Sequence, residues 1–352
     1  LASENYLESL DLSSFNMDEK RRIGMTVSCL DSAEIPKVTN AGEFGVDEYG
    51  PFQIMHNGLK ITKDCYQGPW MTKVIELLIG HHEPQEELAF YEVMKVLREN
   101  PSNFQEKTIL ELGSFWGYYS LWFAKEFPKS QVFCIEPDPI HMAVGQGNFL
   151  RNGVSGHFIN AQISRENTLG SKFLCVSDGI EREIESLSFS GVMERAGITE
   201  VDLVHADIQG SEIDLLLDLP NVLQKTKIRF IFISTHDLVI SGSPTTHQDA
   251  LRILEDNGAF IVCEHSVSES YSGDGFILAS FFEEDRALKI NISYNRSKNS
   301  LFGEWEPRLA TLMESQSVLK SRKFLTLAGR IRRSLLMPLN RGKSGSRNRT
   351  AL

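Results

Sequence analysis

The sequence predicts an α/β fold: a mostly parallel sheet, helices on both faces, and a nucleotide-type ligand bound at the strand ends. Three observations carry this. Ile109-Leu110-Glu111-Leu112 is a short apolar run ending in Gly113-x-x-x-Gly117, and Tyr118, Leu121 and Trp122 follow at helical spacing, so the stretch reads as strand, glycine turn, helix. A second apolar run, Val132 to Ile135, ends in Glu136, where an acid at a strand tip can accept both hydroxyls of a ribose. The runs Val201 to Ala206 and Arg229 to Ser234 are apolar almost throughout, as strands buried on both faces should be.

The residue types narrow the ligand. Glycines at 113 and 117 let the backbone approach it and let the helix pack closely on the strand, with Ser114 inside the turn. Glu111 sits where a carboxylate can meet a cation. That suits S-adenosylmethionine, which carries a sulfonium and an ammonium and lacks a pyrophosphate. The nicotinamide signature G-x-G-x-x-G is not met, because its middle position is Phe115. The plainer alternative is a glycine turn in an ordinary α/β protein, with Glu111 solvated.

The chain of 352 residues has room for one large domain with additions. No apolar run approaches the ~18 residues of a membrane span, and residues 1–22 are too polar and acidic for a signal peptide. Five cysteines, widely spaced and without C-x-x-C, argue against a disulfide framework and a zinc site, so a reducing cytoplasm is expected. The net charge of −11 is unevenly spread: ten Lys and Arg follow Glu314 without an acid, leaving 26 basic against 47 acidic residues before them. An acidic body does not favour nucleic acid.

Residues 1–80 read as an N-terminal extension or cap. Asn57-Gly58 between Phe52–Met55 and Leu59–Thr62 predicts a β-hairpin, and a short helix is expected within 66–80. His82-Glu-Pro-Gln-Glu-Glu87 starts another helix, with Pro84 at its first position and acids in its first turn. Glu83 or Glu87 facing the ligand cleft is the alternative use of those acids. His81 and His82 lack partners at metal-ligand spacing and are expected to be solvated.

Pro137-Asp138 leads into a helix that ends near Asn152-Gly153. A third strand over 157–161 places Ala161 and Gln162 at its end, where an adenine ring would lie. Runs at 172–177 and 184–189 suggest an inserted hairpin around Asp178-Gly179. The fourth core strand delivers Asp207-Ile-Gln-Gly-Ser-Glu212 and the fifth Thr235-His-Asp237, before a helix over 248–257 and a final strand pair, 259–264 and 275–282. Gly113, Glu136, Ala161, Asp207 and His236 then converge on one crevice.

Ile109-Leu-Glu-Leu-Gly-x-x-x-Gly-Tyr-Tyr-Ser120, Ile135-Glu-Pro-Asp138, Ile184-Glu-Ser-Leu187 and Val201-Asp-Leu-Val-His-Ala-Asp-Ile-Gln-Gly-Ser-Glu212 together resemble the FkbM-type family of class I methyltransferases, over roughly 80–285. The resemblance implies a Rossmann-like sheet of seven strands with one antiparallel, S-adenosylmethionine as methyl donor, and a hydroxyl acceptor on a sugar, glycan or secondary metabolite. The methyltransferase domain is set at 81–290 and a C-terminal extension at 291–352. Three departures stand out: His205 where members often carry Lys, Gln209 where they often carry Glu, and Ser234-Thr-His236 where the strand commonly ends in Glu-x-His.

For the proton that the acceptor hydroxyl must lose, His236 is the first choice of base, because an imidazole titrates near neutrality. Asp207 orients it, contacts the donor, or is itself the base; its structural alternative is to cap the following helix, with Glu212 in the first turn. Asp207, His236 and Asp237 can be arranged around a divalent ion, though nothing in their spacing requires one. Trp116, Tyr118 and Tyr119 are expected to be packing residues. A non-catalytic, donor-binding partner subunit is the rival reading. The basic amphipathic stretch 321–336 offers peripheral membrane contact or docking on the acidic body.

Overall fold

The computed structural model describes residues 11–295, so the basic stretch 321–336 lies outside the described residues. Thirteen strands among them form three sheets. In the N-terminal segment, β1 (Phe44–Asp47), β2 (Gly50–Ile54) and β3 (Lys60–Thr62) make an antiparallel meander around the expected Asn57-Gly58 turn. Helices Pro69–Leu77 and Pro84–Glu99 follow, each with proline in its first turn.

The central sheet has seven strands. β4 (Thr108–Leu112), β5 (Gln131–Ile135), β6 (His157–Ile159), β10 (Glu200–Ala206), β11 (Lys227–Thr235), β12 (Phe260–His265) and β13 (Gly275–Ser280) lie in the order β12-β13-β11-β10-β4-β5-β6. β13 alone runs antiparallel, pairing with β11 on one side and β12 on the other. Seven strands with one antiparallel are what the resemblance implies. The sequence of strands reverses direction between β4 and β10, and the crevice that such a switch opens lies beyond their carboxyl ends.

Two apolar cores, one on each face, fix the sheet. Ile109, Cys134, Leu203, Phe230 and Phe232 face a cluster with Phe90, Tyr118, Trp122 and the N-terminal segment. Leu110, Leu112, Ile135, Val204 and Ile231 face a cluster with Phe189, Leu215 and Leu254. Alternate residues of each strand enter alternate cores, which is why these strands read as continuous apolar runs.

The expected third strand breaks in two. β6 ends at Ile159, and Asn160 turns its side-chain amide onto the Glu136 and Pro137 carbonyls. β7 (Ala161–Ile163) joins a separate sheet with β9 (Glu181–Leu187), which pairs β8 (Thr168–Leu174) as the predicted hairpin.

Candidate functional site

The first half of the crevice is built on backbone groups at the tips of β4 and β5. Gly113 and Ser114 donate their N–H groups to the Ile135 carbonyl at 2.9 and 3.0 Å, locking the turn. Gly113 has φ +75°, and a Cβ there would run into the Asp207 carbonyl oxygen, so only glycine fits. Glu136 is 5% exposed. Its two oxygens accept one backbone N–H each, from Phe115 and Asp138, both at 2.9 Å. Burial outweighs those bonds and pushes the carboxyl up to about 7.

Glu111 is buried nearby, accepting the Ser120 N–H at 3.1 Å, and burial pushes it up to about 8. The Ser114 hydroxyl is buried with no partner among the described residues. Gly117, at φ +70°, opens the Tyr118–Glu126 helix.

The predicted adenine pair is not delivered as expected. Ala161 is fully buried in the core with Ile135, and Gln162 spends its amide on the Ser186 hydroxyl at 2.7 Å. The break at Asn160 is the reason, since it moves both residues off the central sheet.

The second half is built from side chains on side chains. His236, just past β11, places Nδ1 2.6 Å from Glu212 Oε1 and Nε2 3.2 Å from Asp207 Oδ1. The Gln209 side-chain amide contacts both, 2.8 Å from His236 Nε2 and 3.1 Å from Asp207 Oδ1. Asp274, from the loop before β13, stands 3.7 Å from the same Nε2. Burial opposes charge on His236, but hydrogen bonds to Asp207 and Glu212, with the charges of Asp207 and Asp274, raise it to about 11. These neighbours favour the imidazolium form. Asp207 caps no helix; its bonds go to Gln209 and His236.

Glu212 does lie in the first turn of the Glu212–Leu217 helix, where it also accepts the Gly210 N–H at 2.9 Å. Gln209 holds φ +49°, a conformation unusual outside glycine, which turns its amide back over Asp207.

Acids from outside the strand tips close the crevice. Glu83 lies 3.2 Å from the Tyr66 hydroxyl and 3.3 Å from that of Tyr119. Burial, with the charges of Glu83, Asp207 and Asp274, drives Glu86 well above the carboxylate range. Asp274 rises to about 7, chiefly through burial. His205, one turn of the pleat before Asp207, packs against Tyr119 with the rings tilted by 32° and 4.3 Å apart, and burial lowers it to about 4.

Glu86 carried no sequence signal toward the crevice, Glu83 only the option in the helix-start motif, and Asp274 and Tyr66 only their place in a loop and an N-terminal extension expected to contact the acceptor. Trp116, Tyr118 and Tyr119 are buried as expected of packing residues. The divalent-ion arrangement is not formed, because Asp237 turns its carboxylate onto the Val239 and Ile240 N–H groups as a helix cap. His81 and His82 are not solvated: both are buried, and both lie against Glu87. Their partner sits five and six residues on, across a loop-to-helix corner that spacing rules for ligands do not cover.

A family model for the methyltransferase FkbM domain matches residues 101–261, from just before β4 into β12. Over these residues the chain matches the FkbM-type methyltransferases. A curated relative, a catechol O-methyltransferase of Niastella koreensis, is 44% identical over 52 residues, which are 14% of this chain. The match spans about a quarter of that relative's length, 24%. Among solved structures, M. capricolum TrmK in complex with S-adenosyl-homocysteine is 15% identical, covering 69% of this chain and 93% of that one at a TM-score of 0.37. An O-methyltransferase from Bacillus cereus in complex with S-adenosyl-homocysteine is 13% identical over 55% of this chain and 80% of its own, with a TM-score of 0.35. No helix among the described residues is long and apolar enough to cross a membrane.

Proposed function

We propose that this chain is an S-adenosylmethionine-dependent O-methyltransferase, acting on a hydroxyl of a sugar, glycan or secondary-metabolite acceptor. The observation that carries the reading is the junction of the two halves: the Gly113 turn abuts the backbone of Asp207, whose side chain faces His236. Donor-type and base-type groups thus share one crevice.

The residues present fit the donor. Each Glu136 oxygen accepts one N–H and keeps capacity for a ribose hydroxyl. The buried Glu111 and the partly exposed Asp207 and Asp274 favour a ligand with positive charge. When bound, S-adenosylmethionine supplies a methyl group on a positively charged sulfur.

The chain's own contribution is to hold the acceptor oxygen in line and to take its proton. His236 Nε2 is the receiving atom, Glu212 fixes the ring through Nδ1, and Asp207 shares the proton. Since its neighbours favour the charged form of His236, it must first yield that proton to the neighbouring carboxylates. A cation placed beside it lowers its hold on the proton, so the base is readied only when the crevice is loaded.

The test is calorimetric titration of the full chain with S-adenosylmethionine, beside Glu136→Ala, followed by methyl-transfer assays on a panel of sugars, glycans and phenolic alcohols. Binding should weaken at least ~10-fold in the variant, as expected for losing hydrogen bonds to a charged group. Absence of binding at millimolar donor overturns the reading. Tight binding without transfer to any hydroxyl favours the non-catalytic partner subunit instead.

A further inference from the structure

A second cluster, outside the crevice, has the chemistry of a metal centre. His56 comes from the β2–β3 turn of the N-terminal segment, His81 from the loop before the Pro84–Glu99 helix, and Glu87 from the first turns of that helix. Each offers one donor atom, and these atoms lie within 4.8 Å of one another. All three residues are at most 2% exposed. We propose that His56, His81 and Glu87 bind one zinc-type divalent cation that fastens the N-terminal segment to the methyltransferase domain.

The donors are arranged for this. The two imidazoles stack 4.2 Å apart and within 15° of parallel, and one nitrogen of each lies within 4.8 Å of the other and of a Glu87 oxygen. Glu87 Oε2 touches His81 Nδ1 and lies 3.9 Å from His56 Nδ1. The second carboxylate oxygen is held from behind by the His82 backbone N–H at 2.8 Å, the kind of outer support that orients a carboxylate ligand. The Tyr118 hydroxyl stands 3.0 Å from His56 Nδ1. Two ligands bonded at ~2.0 Å to one tetrahedral ion are ~3.3 Å apart, so three protein ligands leave a fourth position open beside them.

Hydrogen bonds join His81 Nδ1 to Glu87 and the Tyr118 hydroxyl to His56 Nδ1, but none joins His56 to Glu87, a gap that a shared ion spans. Two imidazoles and a carboxylate, without a thiolate, are a donor set for zinc or a similar borderline ion rather than for calcium or magnesium. The cysteines do not enter the site, which explains why cysteine spacing gave no hint of it.

The consequence is structural. The Pro84–Glu99 helix carries Glu83 and Glu86 at its start, and both reach the crevice. Fastening His56 to Glu87 therefore sets the corner from which those acids project. Metal binding to such a preformed site would add to folding stability.

The test uses the full chain, purified from zinc-supplemented and from cobalt-supplemented medium without a polyhistidine tag. Metal per chain is measured by mass spectrometry, and the cobalt form by its visible absorption. About one equivalent of metal and the intense bands of tetrahedral cobalt are expected. Metal content near zero in the folded wild-type chain overturns the proposal, whatever the variants do.

His56→Phe, which keeps a ring in the stack, and Glu87→Gln should each lose at least ~10-fold in metal affinity. The melting temperature of the wild type should fall when the chain is refolded with a chelator, while that of folded His56→Phe should not respond. Full metal content in folded His56→Phe would place the ion elsewhere and equally overturn the site.

Discussion

The two halves of the crevice hold their acids by different means. At the tips of β4 and β5, Glu136 and Glu111 are gripped by backbone N–H groups of the same turn and helix: Phe115, Asp138 and Ser120. At the tips of β10 and β11, Asp207, Glu212 and His236 are gripped mainly by one another, with Gln209 and Asp274 close by. Backbone donors cannot move without unfolding the turn. Side-chain pairs can trade protons, and their charge states depend on every neighbour. The first arrangement suits fixed recognition and the second suits proton transfer.

The sharpest way to separate the halves is His236→Ala. Turnover should fall ~10²-fold or more while donor affinity stays near that of the wild type, because removal of a general base acts on the chemical step. Rapid-quench turnover beside calorimetry checks it. Unchanged turnover would remove His236 as the base and leave Asp207.

Next in size is Gly113→Ala, which joins the halves by force. With positive φ and the Asp207 carbonyl in the path of the new methyl, it should cost about 2 kcal/mol or more of stability in urea unfolding. A stable variant would mean that the turn and Asp207 are less closely coupled than the geometry implies.

The backbone-held half should also respond to pH. Glu136 titrates near 7 and Glu111 near 8, facing Asp138, Asp207, His141 and one another. Accepting the ribose hydroxyls on both oxygens requires Glu136 ionised, so that group alone should weaken affinity about tenfold from pH ~8 to ~6, with proton release that calorimetry in buffers of different ionisation heat detects. Flat affinity across that range breaks the assignment of Glu136 to the donor.

The smallest expected effect is on stability in the side-chain-held half. His236 has its pKa raised from 6.5 to about 11 in the folded chain, facing Asp207, Glu212, Asp274 and Glu86. Its charge thus contributes stability fully below the unfolded value, and that contribution is lost as pH rises toward the folded one. The melting-temperature gap between wild type and His236→Gln should be widest near pH ~6 and narrow by pH ~10. A gap that widens with pH would mean a neutral resting imidazole.

The donor half was largely legible in the chain. Strand, glycine turn, helix and the acid of the next strand are local patterns, each fixed by periodicity or by a backbone conformation that few residues adopt. The reading failed where local pattern gave way to contact. Residues 157–161 look like one strand, yet the Asn160 side chain reaches two carbonyls across the β5 tip, and Ala161 leaves the central sheet. His81 and His82 look like polar loop residues, yet they are buried against Glu87 and His56.

By itself, then, the sequence determined the sheet, its helices, the Gly113 turn and the tip residues Glu136, Asp207 and His236, because period, glycine and strand ends are written in neighbouring positions. Only the tertiary structure decided which acids share His236, which histidines meet Glu87, and which charges survive burial. Those depend on distances of a few ångströms between segments far apart in the chain, and in a dry crevice such distances set proton affinity.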